Sequence, residues 1–181
     1  LLLTACQVTG DTASPSSVSA QSGDDAASRT TDALVQAAEA SITGDTDDLR
    51  RALMALDALG AHPEDLASAD VLASWRAAMP DDRPPMRGRT LGPAFRAGEV
   101  PAGATVTLEQ TFLAGQSAAI ALRTQGGGEV AVRVIDGREK TMCLSQGDRV
   151  RCRWTPPYTQ RHEIRIRNPQ GGKVRYFISF T

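Results

Sequence analysis

The run DRVRCRWTPPY at residues 148–158 limits the folds open to this chain more than any other stretch. In an extended backbone Val150, Cys152 and Trp154 fall on one side, and Arg149, Arg151 and Arg153 on the other. Bulky apolar groups at a period of two are what a half-buried antiparallel strand requires, with one face on a core and one in water. Pro156 and Pro157 then withhold ladder donors and end the strand.

The same pattern recurs on either side. Leu91–Phe95 reads as a first edge strand, and Val106 and Leu108 share a face of an extended segment over 105–112. Ala118, Ile120 and Leu122 alternate, as do Val130, Val132 and Val134. Met142–Leu144 and 148–154 read as a hairpin, and His162, Ile164 and Ile166 lie opposite Arg161, Arg165 and Arg167. Val174, Tyr176, Ile178 and Phe180 close the series. Asp136-Gly137, Gly126–Gly128 and Asn168–Gly172 are turns. About seven or eight short strands at this spacing, with no room for crossover helices, predict an antiparallel sandwich or barrel.

The first half reads differently. Residues 7–30 are rich in Ser, Ala, Thr and Asp with few large apolar groups, so a flexible tether is expected there. Residues 31–80 carry three helical segments, about 32–42, 47–59 and one opened by Pro63 and stopped by Pro80. Leu49, Leu53, Leu56 and Leu59 form an apolar stripe on the second, with Thr46 as its expected N-cap and Gly60 at its C-terminus. Trp75 on the third is either internal packing or a docking anchor for another protein. Residues 81–90, DDRPPMRGRT, read as a linker.

The net charge of -1 conceals an asymmetry: residues 1–90 hold seven Lys/Arg against fourteen Asp/Glu, and residues 91–181 thirteen against seven. The two halves can attract each other or steer different partners. Arg149, Arg151, Arg153, Arg161, Arg165 and Arg167, with Arg133 and Arg175 as further candidates, would form one basic patch if their strands were neighbours, suited to carboxylates or phosphates. Without aromatics among them to stack bases, nucleic acid is a poor fit.

No catalytic residue is assigned. Neither His62 nor His162 has a nucleophile context, and no G-x-S-x-G is present. Metal is not expected, because neither histidine falls at ligand spacing from the cysteines and the carboxylates are scattered. No cofactor is implied, since the glycine runs do not open helices.

Leu3-Thr4-Ala5-Cys6 resembles a bacterial lipoprotein box, preceded by the end of an apolar signal-peptide core. The resemblance implies lipidation of Cys6 and anchoring to a membrane; Gln7 in the next position is compatible with sorting to an outer membrane, on its periplasmic side or at the cell surface. With Cys6 so used, Cys143 and Cys152 remain as a pair. A turn at Gly147-Asp148 sets them opposite each other, as a disulfide or as two reduced core cysteines.

Residues 91–181 resemble the bacterial pre-peptidase C-terminal type of domain. The resemblance lies in FLAGQ at 112–116, VRVIDG at 132–137, Cys143, CRWTP at 152–156 and RIRNPQGG leading into RYFISF. It implies a jelly-roll-like antiparallel β-sandwich, here preceded by a small α-helical region in a mainly β chain, and an accessory role beside secreted peptidases. The expected function is that of an envelope lipoprotein whose sandwich recognises a protein or an anionic surface polymer without covalent chemistry. Its alternatives are an assembly component of an envelope complex docking through residues 31–80, or an accessory module of a secreted peptidase. No motif encodes an oligomeric state.

Overall fold

A computed structural model of the chain describes residues 16–79 and 92–181, with side chains from residue 25 onward. Cys6, residues 7–15 of the expected tether and the expected linker at 81–90 lie outside the described residues. Three helices come first: α1 (Ser16–Thr43), α2 (Thr46–Ala58) and α3 (Leu66–Ala77), with a two-residue strand β1 (His62–Pro63) between the last two. Then follow β2 (Ala94–Val100), β3 (Thr105–Phe112), β4 (Ala118–Thr124), β5 (Val130–Ile135), β6 (Thr141–Gly147), β7 (Arg149–Trp154), β8 (Gln160–Arg167) and β9 (Val174–Phe180).

The strands form two packed sheets. The first runs β1-β2-β9-β4-β7 and the second β3-β8-β5-β6. Every neighbouring pair is antiparallel except β1 with β2. The period-two pattern explains the layering. Ile120, Leu122, Val150, Cys152, Trp154 and Ile178 of the first sheet share one core with Val130, Val132, Val134, Ile164 and Ile166 of the second. Trp154 is 9% exposed, inside the sandwich as its alternation with arginine requires.

Two expected details change. The strand expected over 91–95 is β2, Ala94–Val100, and it is not an edge, since β1 and β9 flank it. Residues 141–147 and 149–154 are not hairpin partners: β6 edges the second sheet and β7 the first. The chain crosses between layers at Asp148, whose carbonyl accepts from Thr124 N at 3.0 Å.

The helical region packs on the outer face of the first sheet. Leu34, Ala37 and Ala38 of α1, Leu49, Leu53 and Leu56 of α2, and Leu72 and Trp75 of α3 form a second core with Phe95 of β2 and Phe177 of β9. Helix α1 begins at Ser16, so residues 16–30 are helical where a tether was expected. The reason is tertiary: Ala27, Ser28, Thr30 and Thr31 are buried, and α1 lies along β4, whose outward Ala119 and Ala121 are buried too. Small residues let a helix sit close on a sheet yet leave no large apolar stripe to read. Asp45 rather than Thr46 caps α2, accepting from Asp48 N at 2.9 Å, and Asp65 caps α3 by accepting from Ser68 N at 2.8 Å.

The helices also close an edge of the sheet. His62 N donates to Pro93 O and Glu64 N to Phe95 O, and Ala97 N donates to the hydroxyl of the fully buried Ser68 at 2.9 Å. Backbone groups of β2 that an edge strand would leave open are thereby partnered. Gly92 lies against the end of α2, where a Cβ would come within 2.0 Å of Leu59 O, so only glycine fits.

Candidate functional site

Cys143 and Cys152 form a disulfide with Cα atoms 5.9 Å apart. Because their strands belong to different layers, the bridge ties the β6 edge of one sheet to the β7 edge of the other.

The arginines do not make one patch. Arg149, Arg151 and Arg153 project from the outer side of β7 in the first sheet, while Arg161, Arg165 and Arg167 project from the outer side of β8 in the second. The two sheets face each other across a shared core, so these two sets look away from one another. The expectation of neighbouring strands fails because the chain changes layer between Trp154 and Gln160. Several of the arginines are also engaged. Arg161 pairs with Glu109 at 2.9 Å, Arg165 pairs with Glu163, and Arg133 donates to the Thr141 hydroxyl at 2.7 Å. Glu163 raises the Arg165 guanidinium above its ordinary pKa, mainly through their hydrogen bond. Arg151, Arg153 and Arg167 have no carboxylate partner among the described residues.

The charge asymmetry is met partly inside the molecule. Asp32 of α1 accepts from Arg123 at 2.8 Å and lies 3.8 Å from Arg149, and Glu64 accepts from Arg96 at 2.9 Å. The acidic helical layer and the basic sheet thus attract each other across their seam.

The two histidines lie in different settings, one inside the core and one at a cleft. His162 is 0% exposed; its Nε2 accepts from the Trp154 indole at 3.3 Å and its Nδ1 lies 3.2 Å from Gln160 O. Phe112 packs edge-on to both rings. His62 lies in β1 and lines a cleft of about 240 Å³ at one end of the sandwich, with Gln110, Gln116 and Ser117. Among the described residues no group of three or more His, Cys, Asp or Glu is placed to hold a metal, and no helix is long and apolar enough to cross a membrane.

The Asp136-Gly137 turn forms, but its left-handed residue is Glu139 (φ 62°), not the glycine. The Asp136 carboxylate accepts from Lys140 N and Arg138 N, and these two bonds hold its pKa below the usual carboxylate value. Burial raises the Tyr176 hydroxyl above its ordinary pKa.

Trp75 is 5% exposed, 6.0 Å from the Phe177 ring, so its indole is not a projecting anchor. It contributes instead to the wall of a cleft of about 400 Å³ in the helical layer. The end of α1 supplies Ala40 and Ser41, α2 supplies Leu49, and α3 supplies Val71, Ser74 and Trp75; Asp45 and Arg175 are the charged members of its lining. The cleft is of the size that takes a small molecule or a few residues of peptide. Sequence reading named Trp75 and Arg175 without placing them together. The cleft arises from the angles at which three helices meet on the sheet, and no local motif records those.

No protein-family model matches the chain, and no curated protein matches it. Among solved structures, the pre-peptidase C-terminal domain of Bacillus anthracis collagenase is similar at 10% identity and a TM-score of 0.43, covering 48% of this chain and 87% of that one. The Yersinia pseudotuberculosis-derived mitogen is similar at 14% identity and a TM-score of 0.42, over 50% of this chain and 85% of that one. The Aeromonas hydrophila periplasmic inhibitor of g-type lysozyme is similar at 12% identity and 0.39, over 49% and 84%. Each is a weak, partial likeness at low identity, confined to about half of the chain.

Proposed function

We propose that this chain is a structural or assembly component that docks a partner through its helical layer, residues 31–80, with the sandwich as its body. The observation that carries this reading is the open cleft between the end of α1, the start of α2 and α3, with an apolar wall and one arginine without a carboxylate partner among the described residues. Grooves with a few placed polar groups are where proteins take ligands and peptide segments. The alternative of one anionic-polymer patch is weakened by the division of the arginines between opposite faces.

In the same reading, the lipobox-like Leu3-Thr4-Ala5-Cys6 motif carries a lipid on Cys6, which would hold the body at an outer membrane, on its periplasmic side or at the cell surface. A disulfide between Cys143 and Cys152 is compatible with an exported, oxidising compartment. We also read the strand orders β2-β9-β4-β7 and β3-β8-β5-β6 as the two facing sheets of a jelly roll.

Photo-crosslinking side chains placed singly at Ser41 and Ser74, on the cleft, and at Thr107 and Arg167, on the open second sheet, test the docking claim in intact cells. Adducts of one protein from the cleft positions alone are the expected result. Adducts from the sheet positions alone would return recognition to the sandwich face. A Cys6→Ser chain that remains membrane-bound would remove the lipid anchor from the proposal.

A further inference from the structure

The helical cleft joins two chemistries that a terminal amino acid also joins. Arg175 and Trp75 pack against the same ring: the guanidinium carbon is 5.6 Å and the indole 6.0 Å from the centroid of Phe177. A cation and an apolar wall of one cleft therefore flank a single buried side chain beneath its lining. Arg175 is half-buried and its guanidinium has no carboxylate partner among the described residues. Glu99, opposite Arg175 in the β2–β9 register, gives its carboxylate to Lys173 at 3.0 Å. Asp45, the acid on the rim, is engaged in capping α2.

Stacking over Phe177 orients the guanidinium before any ligand arrives, which reduces the ordering cost of binding. An arginine held this way presents parallel N–H donors that match a carboxylate. The rim hydroxyls add a third requirement. Ser41 Oγ donates to Ala38 O at 3.0 Å and Ser74 Oγ to Val71 O at 2.7 Å, so both have spent their protons. What they still offer is acceptor lone pairs, which suit backbone N–H groups of a ligand.

We propose that the occupant of this cleft is the C-terminal residue of a partner polypeptide. Its apolar side chain enters among Leu49, Val71 and Trp75, its terminal carboxylate binds Arg175, and its last backbone N–H groups reach Ser41 and Ser74. This inference rests on the docking reading above and names the partner's chemistry. A fatty acid would meet the arginine and the apolar wall but would bring no N–H for the hydroxyls.

The test uses the full chain and the two indole N–H resonances. Trp75 reports on the cleft, and Trp154, in the other core, serves as the internal reference. The probes are acetyl-Ser-Ala-Leu with a free carboxylate and the same tripeptide as its amide. The acid is expected to shift the Trp75 resonance saturably and to leave Trp154 in place. The amide is expected to bind about tenfold more weakly or worse, the value of a charge-assisted hydrogen bond. Arg175→Gln is expected to bring the acid down to the affinity of the amide with the Trp154 resonance unchanged.

Equal affinity for acid and amide, or an Arg175→Gln variant that binds the acid as well as the parent, overturns the proposal. So does decanoate binding as tightly as the peptide. A Trp75 shift driven by protein concentration alone makes the occupant a second copy, which also overturns it. If neither tripeptide binds while cleft-directed crosslinks persist, this inference fails and the docking reading stands. If both are absent, both fail.

Discussion

The molecule has two apolar cores that share one sheet, and they are built from different materials. The sandwich interior is made of Val, Ile, Leu, Phe and Trp on alternating positions of facing strands. The seam between the helices and the first sheet mixes alanines with leucines from all three helices and a few large aromatic groups, Phe95, Phe177 and Trp75. Strand alternation fixes which residues of the sandwich meet. At the seam the small residues allow close approach, and the large ones decide where the helices come to rest. The seam is accordingly where a cleft remains, and the sandwich core is where none is needed.

Phe177 belongs to the seam but stands between Tyr176 and Ile178 of the sandwich core, so its removal tests whether the two cores behave as one unit. Phe177→Ala is expected to cost about 3–5 kcal/mol, the largest effect here. In urea titrations the Trp75 and Trp154 signals should move together. Loss of the Trp75 signal at lower denaturant with Trp154 unmoved would divide the molecule into two units.

Next in size is the bridge between layers. Replacing Cys143 and Cys152 together with serine is expected to lower stability by about 2 kcal/mol, the scale of a short disulfide loop. The loss should be read at Trp154, since the bridge belongs to the sandwich; an unchanged midpoint would mean that the β6 and β7 edges need no tie.

Asp32→Asn weakens the seam alone. It takes the carboxylate from Arg123 and Arg149 and is expected to cost about 1 kcal/mol, less at high salt because the pair is partly exposed. A loss that does not shrink with salt would point to packing instead.

The smallest effect lies in the sandwich loops. The folded-state pKa of Asp136 is depressed below its ordinary 3.8, so its contribution is present above that value and is lost as pH falls through the folded one. Asp136→Asn keeps an acceptor but loses the charge, so it is expected to lower stability slightly at neutral pH and to flatten the fall below about pH 4, as acid titration of the two proteins would show.

What could be read beforehand divides along the same line. The strand at 149–154 and those at 105–112, 130–135 and 160–167 were legible, because a half-buried strand shows its burial in every second residue; that at 174–180 was legible from its alternating residues, although the helices bury its other face too. The pairing of Cys143 with Cys152 followed from their spacing around a reversal of the chain, although that reversal lies between layers and not within a hairpin. Helix α1 over 16–30 was not legible. Its contact residues are Ala, Ser and Thr, whose composition is also that of a tether, and only the sheet beneath makes their burial favourable.

The candidate site was the least legible part. Arginines on β7 and β8 share a pattern, and nothing local says that the chain changes layer between them. Trp75 and Arg175 lie far apart in sequence, and their meeting on Phe177 depends on how three helices seat on a finished sheet. The sequence by itself determined which residues alternate, where the turns fall and which thiols can meet, since these are short-range consequences of backbone geometry. The tertiary structure alone decided which sheet each strand joins, where small residues are buried and which charges remain unmatched, because those follow from surfaces that exist only once the strands have paired.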